Sequence, residues 1–263
     1  MRLFSILILC SFFIFNAAKA ETLRIGISPD FPPWGYTNSA GEIEGFEREM
    51  GDDICKRIGA QCTWTNQAYD GLIPSLLIGK FDLVISGMSI TDDRKKRIDF
   101  STPYAEAPAQ FSVASNSPLA NIKTREDLEK ALNGKIVGVQ SGTTHDAVMI
   151  KNFKDVDVRR YQRNEDIAED IIVGRLDAGL LEVSVWKELM KDRDGKLVPI
   201  GPLLTSADYK EFGDGIGVGM KKGRADLKKR IDDAISAMIQ DGTMNKLSEK
   251  YFGFDVSFKA KTE

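Results

Sequence analysis

The fold is decided near the start of the chain, where short strand-like runs alternate with helical segments. These are LRIGI (23–27), FEREMGDDICKRI (46–58), CTWT (62–65), YDGLIPSLLI (69–78), FDLVIS (81–86) and TDDRKKR (91–97). The longest helical segment repeats its apolar residues every three or four positions from Phe46 to Ile58, which is the period of an amphipathic helix. Three strands, each followed by a helix, predict a βαβαβα unit in which helices cover a sheet.

The alternation restarts in the second half of the chain. Helices are predicted at 124–132, 144–153 and 165–174, and strands at 135–139, 156–160 and 178–181. This repetition predicts a second α/β lobe that resembles the first. Residues 105–115, which lie between the two sets, are predicted to be an extended crossing segment.

The end of the chain is expected to return to the first lobe. It does so through a strand at 216–220, a helix at 224–240 and a last helix ending at Tyr251. The first lobe is therefore expected to be discontinuous, with residues 21–107 and 211–263, and the second lobe to comprise residues 108–210. Such a chain crosses between its lobes twice.

The N-terminus has the pattern of a cleaved secretory signal peptide over residues 1–20. Arg2 precedes an apolar run at 3–15, and the Ala-Lys-Ala sequence at 18–20 forms a small-x-small cleavage site. The run has 13 residues, whereas a membrane-spanning helix needs about 20. Lipidation of Cys10 is not expected, because a bulky leucine precedes it and the apolar run continues beyond it. Export to the periplasm is therefore predicted.

Removal of the signal leaves a mildly acidic chain. The loss of Arg2 and Lys19 moves the formal net charge from −3 to −5. Basic residues are scattered among acidic ones, and no second apolar stretch approaches membrane length, which argues against nucleic acid and a membrane surface as binding partners. We expect a soluble monomer, long enough for one large or two modest domains.

Two cysteines remain after the signal, and we expect them to form a disulfide in an oxidising compartment. Cys55 is predicted in the last turns of a helix and Cys62 at the start of the next strand, so a reversal at Gly59 brings them within bridging range. A metal site or a redox pair is a poor alternative, because the spacing is not CxxC and no histidine is near. No metal and no cofactor are predicted.

A series of motifs runs along the whole chain after the signal. They are GFE (45–47), AYDGLIPSL (68–76), SGMSITDDR (86–94), IDFSTPY (98–104), VGVQSGTT (137–144), GRLDA (174–178), DGT (241–243) and KYFG (250–253). In this order and spacing they resemble the polar amino-acid-binding proteins of bacterial ABC importers, solute-binding protein family 3. The segment from Cys55 to Cys62 is most similar to the branch that binds lysine, arginine, ornithine and histidine, together with opine-binding proteins.

The resemblance implies a two-lobed periplasmic-binding-protein fold of type II. Each lobe is then a mixed β-sheet flanked by helices, and two crossing segments join the lobes. An amino acid would be held between them and passed to a membrane permease. A zwitterion in a nearly dry cleft needs a cation for its carboxylate and an anion for its ammonium, because unpaired buried charges are costly.

Arg94 is the best candidate for that cation. Its planar guanidinium can bind a carboxylate through two parallel hydrogen bonds. Arg94 also lies at a predicted helix start, just after a strand end. The alternative for Arg94 is the solvated helix face that also suits Lys95, Lys96 and Arg97. Further donors to the ligand are expected from Ser86, Gly87 and Ser89.

The second lobe is expected to supply Thr143, Thr144 and Glu182. The two threonines follow a strand and begin a helix whose free N–H groups suit a carboxylate oxygen, and ordinary capping could coexist with that role. The resemblance places Glu182 where the family usually has an aspartate for the ligand ammonium. The extra methylene would move the carboxylate by about 1 Å. Either the lobes sit slightly differently or the ligand nitrogen is substituted, as in an opine.

Recognition of the ligand side chain is less specific in the sequence. The resemblance implies an aromatic wall made of Phe31, Trp34 and Tyr69, for which core packing is the alternative. Ser28 stands where the basic-amino-acid branch has an aspartate, which argues against a strictly basic ligand unless Asp30 or Glu44 points inward. His145 either contacts the ligand or caps a helix at the surface.

Two alternatives use the same scaffold. One is an opine-binding protein. The other is an enzyme similar to cyclohexadienyl dehydratases, but their characteristic acid falls at Val185 here. Since the sequence shows no nucleophile–base pair, no metal-ligand cluster and no cofactor loop, we predict no catalysis. The expected protein binds a basic or polar amino acid, or a derivative such as an opine, for an ABC importer.

Overall fold

Alternating strands and helices build two five-stranded sheets in the computed structural model, which describes residues 21–258. The predicted signal peptide lies outside the described residues. Up to residue 100 the elements are β1 (Glu21–Ile27), β2 (Asp30–Phe31), β3 (Gly35–Thr37), β4 (Ile43–Glu44), α1 (Phe46–Arg57), β5 (Ala60–Asn66), α2 (Leu72–Ile78), β6 (Leu83–Val84), α3 (Asp92–Lys95) and β7 (Asp99–Phe100).

The later elements complete the fold. They are β8 (Ala109–Ala114), α4 (Arg125–Ala131), β9 (Ile136–Gln140), α5 (Thr144–Asn152), β10 (Asp157–Tyr161), α6 (Asn164–Ile172), β11 (Ala178–Glu182), α7 (Val183–Lys191), β12 (Leu197–Leu204), β13 (Gly219–Met220), α8 (Ala225–Gln240) and α9 (Thr243–Phe252). Short 3₁₀ turns at Tyr69–Gly71 and Lys210–Phe212 precede α2 and β13.

Both sheets are mixed, and the chain passes between them twice. The first sheet has the order β5-β1-β6-β13-β7, with β1 parallel to β5 and β6, and β13 antiparallel to both of its neighbours. The second has the order β10-β9-β11-β8-β12, in which only β8 and β12 introduce antiparallel pairs. The chain leaves the first sheet after β7 and returns to it at β13. A small sheet, β2-β3-β4, lies apart from the other two.

Apolar contacts pack helices on both sheets, and one buried cluster extends from the first half of the fold into the second, from Ile25 to Trp186. In the first, α1 packs on α8 and α9, and Met50 shares a buried cluster with Ile25. In the second, Phe111 of β8 packs with Val139 of β9 and Leu180 of β11. Burying these side chains supplies most of the driving force for folding.

Several sequence predictions are confirmed, and one is wrong. The helices and strands predicted at 124–181 lie within two residues of those observed, and Phe46 to Ile58 contains α1. The prediction that 105–115 is an extended crossing segment is wrong for its second part: Ala109–Ala114 is extended, but it forms β8 and pairs with both β11 and β12 of the second sheet. Four of its six residues are buried and none is exposed, as in a strand that is covered on both faces. Sequence analysis did not predict α7, β12 or the small sheet.

The predicted disulfide joins Cys55 of α1 to Cys62 of β5, with their Cα atoms 6.1 Å apart. The reversal between helix and strand occurs at Gly59, whose φ of 70° is in the left-handed region that favours glycine. The bridge therefore closes the first helix onto the edge strand that follows it.

Candidate functional site

A buried cavity lies between the two sheets, and both contribute to its wall. The central cavity is lined by Phe31, Tyr69, Gly87, Ser89, Ala107, Gln140, Thr143, Thr144, His145, Asn164, Leu181 and Glu182. Gln140 and Glu182 end the parallel strands β9 and β11, and Gly87 follows β6 closely. Ligand sites in open α/β sheets form at these carboxyl ends. The cavity measures about 30 Å³, so a molecule as large as an amino acid requires the walls to separate.

Hydrogen bonds connect the two sides of the cavity. Across it, Gln140 Nε2 donates to Asp30 Oδ2 at 2.8 Å, Asn164 Nδ2 to the Asp30 carbonyl at 3.2 Å, Gln162 Nε2 to Asp70 Oδ2 at 2.9 Å, Arg94 Nη2 to the Gly142 carbonyl at 3.1 Å, and Trp34 Nε1 to Ser184 Oγ at 2.9 Å. The two halves are therefore in direct contact in this structure, and the contacts surround the cavity.

Seven of the ten predicted ligand-binding residues line the central cavity. They are Phe31, Tyr69, Gly87, Ser89, Thr143, Thr144 and Glu182. Ser86 lies behind the wall, where its Oγ accepts the Ser28 N–H at 2.9 Å and ties together the ends of β1 and β6. Trp34 also lies behind the wall, with 0 % exposure, packed against Phe46.

Arg94 lies at the rim of the cavity. Its Nη1 donates to the Ser89 carbonyl at 3.0 Å, its Nη2 reaches the Gly142 carbonyl at 3.1 Å, and the guanidinium lies 5.7 Å from the Tyr69 ring centroid. The Thr91 hydroxyl caps the short helix α3 by accepting the Arg94 N–H at 3.2 Å. Arg94 lines an adjoining groove rather than the central cavity, but one of its hydrogen bonds ends on a cavity residue, Ser89.

Glu182 accommodates its extra methylene by folding back on its own helix. Its Oε2 accepts the N–H groups of Ser184 and Val185 at 2.9 and 3.2 Å, the Ser184 hydroxyl and the Trp34 indole N–H at 3.3 Å. It thus caps the N-terminus of α7. Between residues 21 and 258, no hydrogen bond to Oε1 is found. Burial raises the pKa of Glu182, and the hydrogen bonds from Ser184 oppose that rise.

The start of α5 forms another part of the wall. Thr143 caps the helix, because its Oγ1 accepts the Asp146 N–H at 3.3 Å, so the predicted capping role is confirmed. His145 is only 8 % exposed, and its ring packs edge-on against Phe212 at 5.8 Å. Its interpretation as a surface cap is therefore wrong. Burial, and next the nearby charge of Arg94, lower the pKa of His145 to about 3, so its ring is neutral.

Asp30 and Glu44 were considered as replacements for the aspartate that the basic-amino-acid branch has at position 28, and the structure distinguishes between them. Ser28 Oγ donates to Asp30 Oδ1 at 2.7 Å, so a carboxylate lies two residues further along the chain and is tied to Ser28 itself. Burial raises the pKa of Asp30 despite its hydrogen bonds to Ser28 and Gln140. Glu44 is exposed and bonds to Asn38 instead.

A buried carboxyl group supports the wall from behind. Glu47 Oε1 accepts the Gly87 N–H at 2.6 Å and the Tyr104 hydroxyl, and the side chain is 1 % exposed. Burial raises the pKa of Glu47 to about 7, although both hydrogen bonds act to lower it. This contact fixes the backbone at Gly87, where the wall turns.

Four residues of the wall were missed by sequence analysis: Ala107, Gln140, Asn164 and Leu181. Gln140 and Leu181 lie at the carboxyl ends of parallel strands, and Asn164 begins the helix after β10. The rule that sites form at such ends was the available signal for these three. Ala107 lies in the connection before β8, for which the sequence offers no comparable signal.

This cavity between two mixed sheets has counterparts among known proteins. The family model for bacterial extracellular solute-binding proteins, family 3, matches residues 23–254. The chain belongs to this family. Its structural neighbours are two-lobed periplasmic binding proteins, so the two halves are lobes, with the central cavity between them.

Individual relatives cover almost the whole chain. The L-arginine-binding protein of Pseudomonas aeruginosa is 35% identical over 91% of both chains. The lysine/arginine/ornithine-binding periplasmic protein of Escherichia coli is 37% identical, also over 91% of both. An ancestral arginine-binding protein bound to arginine is 33% identical, with a TM-score of 0.79, and the match covers 88% of this chain and 98% of that one.

Two other kinds of site were searched for in the described part of the chain. Across residues 21–258, no three acidic, cysteine or histidine side chains are grouped so that they could hold a metal ion. Over the same residues, no helix has both the length and the apolar character needed to cross a membrane.

Proposed function

We propose that this chain is an exported, periplasmic solute-binding protein that captures a basic or polar α-amino acid between its lobes and delivers it to the permease of an ABC importer. The proposed lobes comprise residues 21–107 with 211–263, and residues 108–210. The relatives support the ligand class, since one is an L-arginine-binding protein and another is a lysine/arginine/ornithine-binding protein. Catalysis is not part of the proposal, since the relatives are binding proteins.

The observation that carries the proposal is the polarity of the wall. Arg94 and the N-terminus of α5 lie on the side where a carboxylate finds donors, while Glu182 offers an anion to an ammonium group. With the lobes in contact, Arg94 donates to the Gly142 carbonyl at 3.1 Å. A ligand carboxylate is a stronger acceptor for the same guanidinium, because the hydrogen bond would then be charged on both sides.

The lobe arrangement suggests how capture works. Ser89 and Arg94 belong to the first lobe, and Thr144 and Glu182 to the second, so a ligand that contacts both sides favours the closed form over the open one. Closure is then a shift in population, and its size depends on how much more tightly the ligand binds the closed form. The closed form is what we propose the permease engages.

Replacement of Arg94 tests the proposal. Arg94→Ala should lower the affinity for the best amino acid by about 100-fold or more, or about 3 kcal/mol, because a desolvated carboxylate loses its charged partner. Titration calorimetry on ligand-stripped protein measures this, with basic and polar amino acids screened first. Lys96→Ala is the matched control, since Lys96 is an exposed cation two residues further along the chain and lines neither the central cavity nor the groove of Arg94. Wild-type affinity in the Arg94→Ala variant would refute the assignment.

The screen also tests the alternatives. Opines belong in it, and binding confined to opines would assign the chain to that ligand class and explain the glutamate at position 182. Incubation with prephenate or arogenate, followed by product analysis, tests for dehydratase activity, and product formation would overturn the proposal that the chain is only a binding protein.

A further inference from the structure

The wall of the central cavity contains a buried acceptor atom without a partner. Asn164 is 1 % exposed, and among residues 21–258 its Oδ1 has no hydrogen-bond donor. Nδ1 of His145, in the same wall, is also unpartnered within that range. Buried polar side-chain atoms in native proteins nearly always have a partner. An unpartnered acceptor in the wall of a ligand cavity therefore indicates a donor on the ligand.

The amide orientation of Asn164 is determined by its other neighbour. Nδ2 donates to the carbonyl oxygen of Asp30 at 3.2 Å across the lobes. If the amide were turned over, Oδ1 would face that carbonyl, and two acceptors would oppose each other. With the lobes in contact, Asn164 therefore presents an oxygen, not an NH₂ group, to the cavity.

Asp30 also supplies a carboxylate, which is hydrogen-bonded to Gln140 of the cavity wall. Ser28 Oγ donates a hydrogen bond to one carboxylate oxygen at 2.7 Å, and Gln140 Nε2 donates to the other at 2.8 Å. A carboxylate has about four lone-pair sites, so two donors do not saturate it. Asp30 lines a second groove, different from the one that Arg94 lines, and is hydrogen-bonded to two residues of the cavity wall, Gln140 and Asn164. Arg163, in the same groove, is exposed and already paired with Glu165.

The charges around the cavity do not cancel. Arg94 contributes one positive charge at the rim, whereas Glu182 and Asp30 are two acidic groups, and the buried His145 is neutral. Ionisation of both carboxyl groups gives this set of three charged groups an excess of one negative charge, which complements a ligand of net charge +1 rather than a neutral zwitterion.

We infer that Asn164 and Asp30 together bind the cationic end of the ligand side chain and select amino acids of net charge +1. A guanidinium suits the pair best, because its planar fork of five donors can bond to an amide oxygen and a carboxylate at once. This inference rests on the proposed function and assigns two specificity-determining residues within it. The α-carboxylate of the ligand is bound, as in the proposed function, by Arg94 and the N-terminus of α5.

The test compares L-arginine with L-citrulline, which has nearly the same shape but a neutral urea group. By titration calorimetry, wild-type protein should bind arginine about 30-fold more tightly than citrulline. Asp30→Asn should reduce this ratio to about 3-fold, mainly by weakening arginine binding. Asn164→Leu should weaken arginine binding by about 10-fold, whereas Asn164→Asp, which keeps an acceptor and adds charge, should preserve or raise the preference for arginine.

Asp70→Asn is the matched control. Asp70 also accepts a hydrogen bond across the lobes, from Gln162 at 2.9 Å, but it is exposed and does not line the central cavity. Its replacement makes the same chemical change and should keep the wild-type ratio. Thermal melting without ligand checks that every variant is folded.

The outcomes separate the inference from the proposed function. If wild-type protein binds arginine but Asp30→Asn keeps the wild-type ratio, or Asn164→Leu keeps the wild-type affinity for arginine, the inference is overturned and the proposed function stands. Equal affinity of the wild type for arginine and citrulline overturns it as well. If the wild type binds no amino acid at all, the proposed function and the inference both fail.

Discussion

The buried carboxyl of Glu47 should make the stability of this protein fall as the pH rises. In the folded state burial raises its pKa from 4.5 to about 7, so between these values the folded chain holds a proton that the unfolded chain has released. The folded state binds more protons there, and the free energy of unfolding therefore decreases with increasing pH. Above the pKa of the folded state, the stabilisation that depends on the protonated Glu47 is fully lost.

The size of the effect follows from the pKa shift. Moving from 4.5 to about 7 corresponds to about 3 kcal/mol, a substantial part of the 5 to 15 kcal/mol that is typical of whole proteins. Glu47→Gln removes the titrating group and keeps an amide oxygen for the Gly87 N–H. The difference in unfolding free energy between wild type and variant should therefore change by about 3 kcal/mol between pH 4 and pH 8, to the disadvantage of the wild type.

Urea denaturation at several pH values measures this difference. Two spectroscopic probes should be followed, because two lobes need not unfold in a single step. Glu49→Gln is the control on the same helix. Burial alone would raise the pKa of Glu49, but hydrogen bonds from Lys250 and Tyr251 outweigh it and lower the pKa, so its effect should have the opposite sign. A wild-type-minus-Glu47→Gln difference that does not vary with pH would refute the reasoning.

Two further predictions concern the disulfide and the glycine in the cavity wall. Replacing both Cys55 and Cys62 by alanine should lower the free energy of unfolding by about 2 to 3 kcal/mol, the value expected for so short a closed loop; reductant should reproduce this loss in urea denaturation of the wild type and have no effect on the variant. Gly87→Ala should weaken amino-acid binding in calorimetry by about 10-fold, because a Cβ would lie 2.9 Å from the Phe31 ring in addition to the strain of a φ of 55°. Gly59→Ala is the control, because it introduces similar backbone strain but its added Cβ would have no other atom within 4 Å. Equal effects of the two glycine variants on affinity would contradict the role given to Phe31.

Predictability from sequence differed between elements. α1 and the alternation at 124–181 were predictable because the periodicity of their apolar residues reflects which face is buried. β8 was misassigned, since the same period of two suits an extended connection and an interior strand, and only pairing with β11 and β12 distinguishes them. The position of Arg94 at the rim depends on the distance between lobes, which no local pattern encodes.

The sequence by itself determined the two α/β halves, the disulfide and most of the residues that line the cavity, because strand ends, glycine turns and helix starts are local features. The tertiary structure alone decided how distant segments meet. It brought Asp30, near the start of the described chain, to Gln140 and Asn164 in the second half, turned Glu182 back onto its own helix and buried His145 against Phe212. Hydrogen bonding and burial across the lobes depend on packing between segments far apart in the chain, and a linear pattern carries no information about that packing.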